Sequence, residues 1–349
     1  MALIIESAGL FTTVQDLGRP GYRHQGVPPS GAMDPLRIQL ANLLVGNALQ
    51  DAALEITLSG PTIRFTDDAI VALTGADLSP MLNGQPVDMD RPFVVTSGSR
   101  LSFGALKRGA RTYMSISGGI DVPLVLGSRS TYVPAKLGGF EGRPLKAGDV
   151  LNVRPSSYSM VRQTENSHMF QGCFRTRLSN EWSPTLHRLY TLRVLSGPEW
   201  PLLSETEQNV LLHRIFYLTS QSSRMGYRFK MSAEDNDLDA HVLQKSTMNT
   251  YTMQSSAVDF GTIQLPSLAE PILLMADHQT TGGYPRVLQL IQADIPLAAQ
   301  LKPGDAVNFI LVRREEAYQA WLKHVRALNM VKAGLKLCLL QNQHMHAVR

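Results

Sequence analysis

Leu145-Lys146-Ala147-Gly148-Asp149-Val150-Leu151-Asn152-Val153 and, 156 residues later, Leu301-Lys302-Pro303-Gly304-Asp305-Ala306-Val307-Asn308-Phe309 share one pattern. In each, a Gly-Asp turn leads into a strand that alternates apolar and polar residues, as a half-buried sheet requires. Leu58-Ser59-Gly60-Pro61 echoes Leu195-Ser196-Gly197-Pro198 in the same way. Two similar β units in tandem account for both echoes. L-x-x-G-D is also a common way into a strand, so the repeat alone leaves chance recurrence open.

The sequence around these segments is β-prone. Thr62–Phe65, Ala69–Leu73, Phe93–Val95 and Arg111–Ser117 are short strand-like runs closely bounded by turn residues. Asn83-Gly84, between Met81-Leu82 and Pro86-Val87, predicts a type I′ hairpin, because both central residues need positive φ. The 27 glycines and 20 prolines fit a turn-rich β architecture. Helices are few. Asp34 caps and Pro35 opens one whose apolar face is Leu36, Leu40, Leu43 and Leu44, with Gly46-Asn47 ending it. A second starts near Arg314 and runs past Leu328, with Ala317, Trp321, Val325 and Leu328 as its stripe. The polar stretch 154–190 reads as a boundary. The expected division is a β unit over 1–190, a second over 191–312, and a basic helical tail over 313–349.

Composition narrows the function. The 349 residues, 44% hydrophobic and 18% charged, describe a soluble globular chain of two domains. Two cysteines far apart, Cys173 and Cys338, exclude a disulfide framework and any C-x-x-C zinc site. The net charge of +4 belongs to the tail: residues 313–349 hold seven Lys/Arg against two Glu, and the rest hold 26 against 27 Asp/Glu. A neutral body disfavours nucleic acid as a partner. The N-terminus lacks a basic n-region, and no apolar run approaches the roughly 18 residues of a membrane span. A cytoplasmic protein with no membrane partner is expected. The sequence contains no Gly-Lys pair, hence no Walker loop, and neither H-E-x-x-H nor G-x-S-x-G. No metal is expected, and His344 and His346 read as solvated tail residues.

Three segments combine glycine with polar side chains. The first holds Gln15, Asp16, Arg19 and Tyr22, and continues to Ser30-Gly31-Ala32-Met33-Asp34. The second holds Arg224, Tyr227 and Arg228, and the third runs from Asp277 through Gln279, Thr280, Thr281, Gly282 and Gly283 to Tyr284. Glycine admits close backbone approach, arginine forks grip carboxylates, amides and hydroxyls orient, and tyrosine gives a flat wall with a polar tip. A small planar amide or amino-acid substrate would suit such groups. Tight turns whose polar residues cap strands explain the same composition equally well.

Several long motifs resolve the choice. T-T-V-Q-D-L-G-R-P-G-Y-R (12–23), S-G-A-M-D-P (30–35), A-N-L-L-V-G-N (41–47), A-L-E-I-T-L-S-G-P (53–61), S-R-M-G-Y-R (223–228) and A-D-H-Q-T-T-G-G-Y-P-R (276–286) resemble the allophanate hydrolase subunit 2 family over about residues 3–312. That family spans the C subunits of bacterial 5-oxoprolinases, the carboxyltransferase region of urea carboxylases, and an antagonist of a sensor-kinase inhibitor. The resemblance implies a mainly β fold of two tandem cyclophilin-like β-barrel units with few helices. It implies a C-subunit role in ATP-dependent opening of 5-oxo-L-proline to L-glutamate, with ATP shared with partner subunits. The partners implied are the 5-oxoprolinase B subunit, a related β-barrel protein similar to allophanate hydrolase subunit 1, and the 5-oxoprolinase A subunit. The alternatives are carboxyl transfer to a urea or amide, which alone would involve biotin, and a non-enzymatic inhibitor antagonist. On residue type, Asp277 is assigned as general base, and Thr280, Thr281 and the Gly282 and Gly283 amides as oxyanion or phosphate holders. Arg224 or Arg228 would grip a carboxylate, and Gln15 and Asp16 would orient. The chain departs from the family pattern at Ser256-Ala257, Ala269-Glu270, His278 and Lys230-Met231.

Overall fold

A computed structural model describes residues 1–156, 189–246, 248, 251 and 253–347. Cys173, most of the expected boundary at 154–190, and the side chains of Cys338, His344 and His346 lie outside the described residues. The chain forms two compact units. The first comprises Met1–Gly18, Asp34–Thr185 and Val325–Arg349, and the second comprises Arg19–Met33 and Leu186–His324. One cut near residue 190 is therefore too simple. Arg19–Met33 belongs with the second unit, and the tail is shared out between the two.

In the first unit the strands are β1 (Ala2–Ser7), β2 (Phe11–Gln15), β3 (Ala53–Thr57), β4 (Thr62–Phe65), β5 (Ala69–Asp77), β6 (Pro80–Leu82), β7 (Gln85–Pro86), β8 (Pro92–Val95), β9 (Arg100–Phe103), β10 (Arg108–Ile116), β11 (Ile120–Asp121) and β12 (Val150–Val153). They form a seven-stranded sheet, β11-β12-β1-β4-β9-β6-β7, and a five-stranded sheet, β2-β3-β10-β5-β8. Alternate residues of both sheets, among them Ile5, Leu54, Phe65, Leu73, Leu101 and Met114, fill one shared core. The Asn83-Gly84 hairpin forms as expected, with φ of 50° and 80° and Leu82 paired to Gln85. The helix Pro35–Leu44 starts on the Asp34 carboxylate, which accepts from the Arg37 N–H at 3.0 Å. Ile38 and Ala41 are as buried as Leu40, so this helix is enclosed on more than its leucine face.

The second unit holds β13 (Tyr190–Ser196), β14 (Phe216–Leu218), β15 (Gly226–Met231), β16 (Ser256–Ala257), β17 (Thr262–Gln264), β18 (Ile272–Leu274), β19 (Thr281–Gly282), β20 (Arg286–Leu290) and β21 (Ala306–Leu311). Seven of these close into a barrel, β13-β20-β17-β18-β15-β14-β21, sealed by a parallel pairing of β13 with β21. The strands β16 and β19 form a separate ribbon. Closure is thus found in the second unit, whereas the first is built as two sheets. The turn repeat is real in three dimensions. Gly148 and Gly304 take φ of 92° and 91°, and Asp149 and Asp305 each accept the N–H of the lysine three residues before, at 2.7 and 3.0 Å. The strands β12 and β21 follow. The C-terminal helix, Arg314–Ala347, starts where the sequence placed it, and Leu328 and Val331 pack on the Leu40–Leu44–Ile70 cluster.

Candidate functional site

Arg224 and Asp277 stand at the centre of the second unit's polar residues. Arg224 Nε donates to Asp277 Oδ2 at 2.8 Å and Nη2 donates to Oδ1 at 3.0 Å. The same Nη2 reaches the Gly31 carbonyl at 2.5 Å, and Ser30 Oγ donates to Asp277 Oδ1 at 2.5 Å. The pair is buried, with side-chain exposures of 7% and 3%. This bidentate geometry fixes the Ser30-Gly31 turn, where both residues have positive φ, against the loop after β18. The structure thus places Asp277, the candidate general base, and Arg224, a candidate carboxylate grip, in one ion pair. Each group is engaged by the other and by the Ser30-Gly31 backbone or hydroxyl, so they position the loop.

The segment after Asp277 is held from several sides. His278 is fully buried, with Nδ1 2.6 Å from the Gln279 carbonyl. Its Nε2 has no hydrogen-bond partner among the described residues. Burial is the main cause that holds the imidazole below its ordinary range, reinforced by the nearby Arg23 cation, while Asp259 and Asp277 oppose the shift. Arg23 donates to the Val258 carbonyl and pairs with Asp259 at 3.0 Å. Gln279 Nε2 donates to Gln264 Oε1 at 3.2 Å. Thr281 and Gly282 lie in β19 opposite Ala257 and Ser256. A Cβ on Gly282 would sit 2.4 Å from Gln264 Nε2, so a larger residue there would push the end of the Gln264 side chain aside. The Thr280 carbonyl accepts from the Val258 N–H. Thr281, Gly283 and Tyr284 are the exposed members of this stretch.

Strand alternation separates the residues of the S-R-M-G-Y-R motif. Tyr227 is 2% exposed and lies in the barrel core with Phe229, so it offers no wall to a ligand. Arg228 and Lys230 point outward and, with Thr219, Gln221, Glu270 and Ile272, line a pocket of about 290 Å³. Arg19 and Tyr22 belong to the second unit, Arg19 fully buried and its N–H bonded to the Pro29 carbonyl at 2.8 Å. Gln15 and Asp16 belong to the first unit. Gln15 Nε2 spans Thr13 Oγ1 and the Thr131 carbonyl, and Asp16 accepts from the Gly18 and Arg129 N–H groups and from Ser128 Oγ. These contacts brace the turn that follows β2.

The first unit also buries a polar chain that residue-type reasoning passed over. The Asp34 N–H donates to Tyr113 Oη at 2.8 Å, and that hydroxyl donates to Glu55 Oε2 at 2.8 Å. Burial, with Glu55 and Asp34 adding to it, pushes the Tyr113 phenol well above its ordinary range and keeps it a neutral donor. Arg37 lies 3.9 Å from Asp34 and 3.8 Å from Asp90. The signal was present in the sequence: Glu55 sits between Leu54 and Ile56, and Asp34 inside a motif read only as a helix cap.

Comparison with known proteins fits this architecture. The chain is 37% identical to the C subunit of 5-oxoprolinase from Escherichia coli strain K12 over 318 residues, 91% of this chain and 94% of that protein. It is 34% identical to the C subunit of 5-oxoprolinase from Haemophilus influenzae, with 92% and 94% covered. The crystal structure of the K. lactis urea amidolyase superposes with a TM-score of 0.79 at 28% identity over 95% of this chain, which spans only 20% of that enzyme. Residues 25–311 match the carboxyltransferase domain, subdomain A and B. With its closed second-unit barrel, its Ser30-Gly31 turn clamped by Arg224 and Asp277, and these relatives, the chain belongs to the carboxyltransferase domain (subdomain A and B) family.

Proposed function

We propose that this chain is the C subunit of a cytoplasmic, ATP-dependent 5-oxoprolinase that opens 5-oxo-L-proline to L-glutamate. The observation that carries this reading is coverage. The two relatives named for that role are matched along 94% of their own length, whereas the urea amidolyase is matched along a fifth of its own. A lactam is resonance-stabilised, so its carbonyl oxygen must become a leaving group before water attacks. Phosphoryl transfer from ATP to that oxygen releases ADP, water adds to the activated carbon, the C–N bond breaks to give the free amine and a γ-glutamyl phosphate, and a second water cleaves that acyl phosphate to glutamate and phosphate. The nucleotide is assigned to a partner because this sequence has no phosphate loop. The chain's own share is binding and orientation. The Arg224–Asp277 clamp sets the Ser30-Gly31 turn, and the 280–284 stretch presents the Thr281 hydroxyl and Tyr284 ring at the surface.

The carboxyltransferase family itself favours a second reading, carboxyl transfer to an amide nitrogen. No A-M-K-M biotin acceptor occurs in the sequence, so this chain would receive biotin from a separate carrier. The two readings are separated by assaying the complex with ATP alone and with added biotin carrier and bicarbonate. The oxoprolinase reading requires glutamate release without either addition, and an absolute need for both contradicts it.

A further inference from the structure

The outer face of the second-unit barrel carries a pocket lined by two cations that hold no carboxylate among the described residues. Its walls are the β14–β15 hairpin, β18 and the Pro266 loop. Along β15 the side chains alternate, with Tyr227, Phe229 and Met231 inward and Arg228 and Lys230 outward. Two cations two residues apart on one strand face stand roughly 7 Å apart, the reach of one small anion with a second polar end. Neither forms an ion pair among the described residues, whereas Arg193, Arg214 and Arg286 in the same unit each hold a carboxylate. Thr219 supplies an independent sign. It lines the same wall, and its Oγ1 has no hydrogen-bond partner among the described residues, a cost that a bound acceptor or donor would remove. Glu270 adds one negative charge at the rim, and Ile272 gives a short apolar wall.

We infer that this pocket binds a small carboxylic acid that also carries an N–H group. The Arg228 fork receives the carboxylate, Lys230 adds a second positive charge, Thr219 Oγ1 hydrogen-bonds the ligand, and Glu270 accepts from its N–H. Glu270 disfavours a compact dianion such as phosphate. A lactam acid and its amino-acid product both have this chemistry, and the choice of these probes rests on the oxoprolinase reading.

The test is calorimetric titration of the full chain with 5-oxo-L-proline, L-glutamate and inorganic phosphate. At least one of the two acids should saturate a single site and bind more tightly than phosphate. Arg228→Gln should weaken it roughly 10- to 150-fold, the equivalent of one charge-assisted hydrogen bond. Thr219→Val, with an unchanged circular dichroism spectrum, should weaken it several-fold. Absence of binding by both acids, affinity unchanged in Arg228→Gln, or tighter binding of phosphate each overturns the site. Binding lost in Arg228→Gln supports the site whether or not the assembled complex still turns over. Turnover in the absence of this chain would strike the proposed function and leave the site standing.

Discussion

Arg224 and Asp277 are 53 residues apart in sequence and form a two-point ion pair in the second unit. Breaking a buried pair by removing one partner typically costs about 3–5 kcal/mol, because the remaining charge is stranded. Arg224→Ala should therefore lower the unfolding free energy by about that amount in urea titration, and a loss under about 0.5 kcal/mol would contradict the clamp. From residue type alone Arg224 reads as a ligand grip, since a sequence does not reveal that a carboxylate 53 residues along, beside the neighbouring strand, will neutralise it. Arg228 has the same chemistry and the opposite fate, decided by which side of β15 it occupies. At His278 the sign of the pH effect follows from burial. Its folded-state pKa is depressed below the ordinary value of 6.5, so the unfolded chain takes up a proton that the folded chain resists. This contribution to stability is intact above that value and falls as pH drops below it. The melting temperature should fall between pH 7.5 and pH 5 by less in His278→Gln than in the parent. An equal fall in both would show that the imidazole is not the group responsible.

Glycines mark where one element yields to the next, and they do so for two distinct reasons. Gly304 takes φ of 91° at the turn before β21 with open space around the position of a Cβ. Gly197 ends β13 where a Cβ would lie 2.1 Å from the Arg286 carbonyl oxygen. Gly304→Ala should cost roughly 1–2 kcal/mol from backbone strain alone. Gly197→Ala should cost more, because β20 must shift. Thermal denaturation of the two variants ranks them, and the reverse order would contradict this packing of β13 on β20. Both glycines were visible in the sequence as members of repeats, as were the Asn83-Gly84 hairpin, the Asp34 cap and the start of the C-terminal helix. These features are local: turn type, capping and periodicity are set by neighbours in the chain. The division of the first unit into two sheets was not visible, because strand pairing between β1 and β12 or β5 and β10 is set by contacts many tens of residues apart. The transfer of Arg19–Met33 to the second unit was hidden for the same reason, since its anchor, Asp277, lies far along the chain.

For the chain in full, the family is established and the reaction is the proposal. The described residues include no helix long and apolar enough to cross a membrane and no cluster of three or more candidate metal ligands. Among the described residues, polar side chains of the two β units clamp turns, and those of the second unit line a pocket, which suits a component that binds and orients for chemistry completed by others. The purified chain alone should then neither hydrolyse ATP nor open 5-oxoproline. The most direct measurement is the release of glutamate and phosphate from 5-oxoproline and ATP by this chain and its two cognate partners, with each of the three proteins omitted in turn. The oxoprolinase reading predicts equal amounts of both products from the three together and loss of glutamate release when this chain is left out. Full glutamate release without this chain would contradict it.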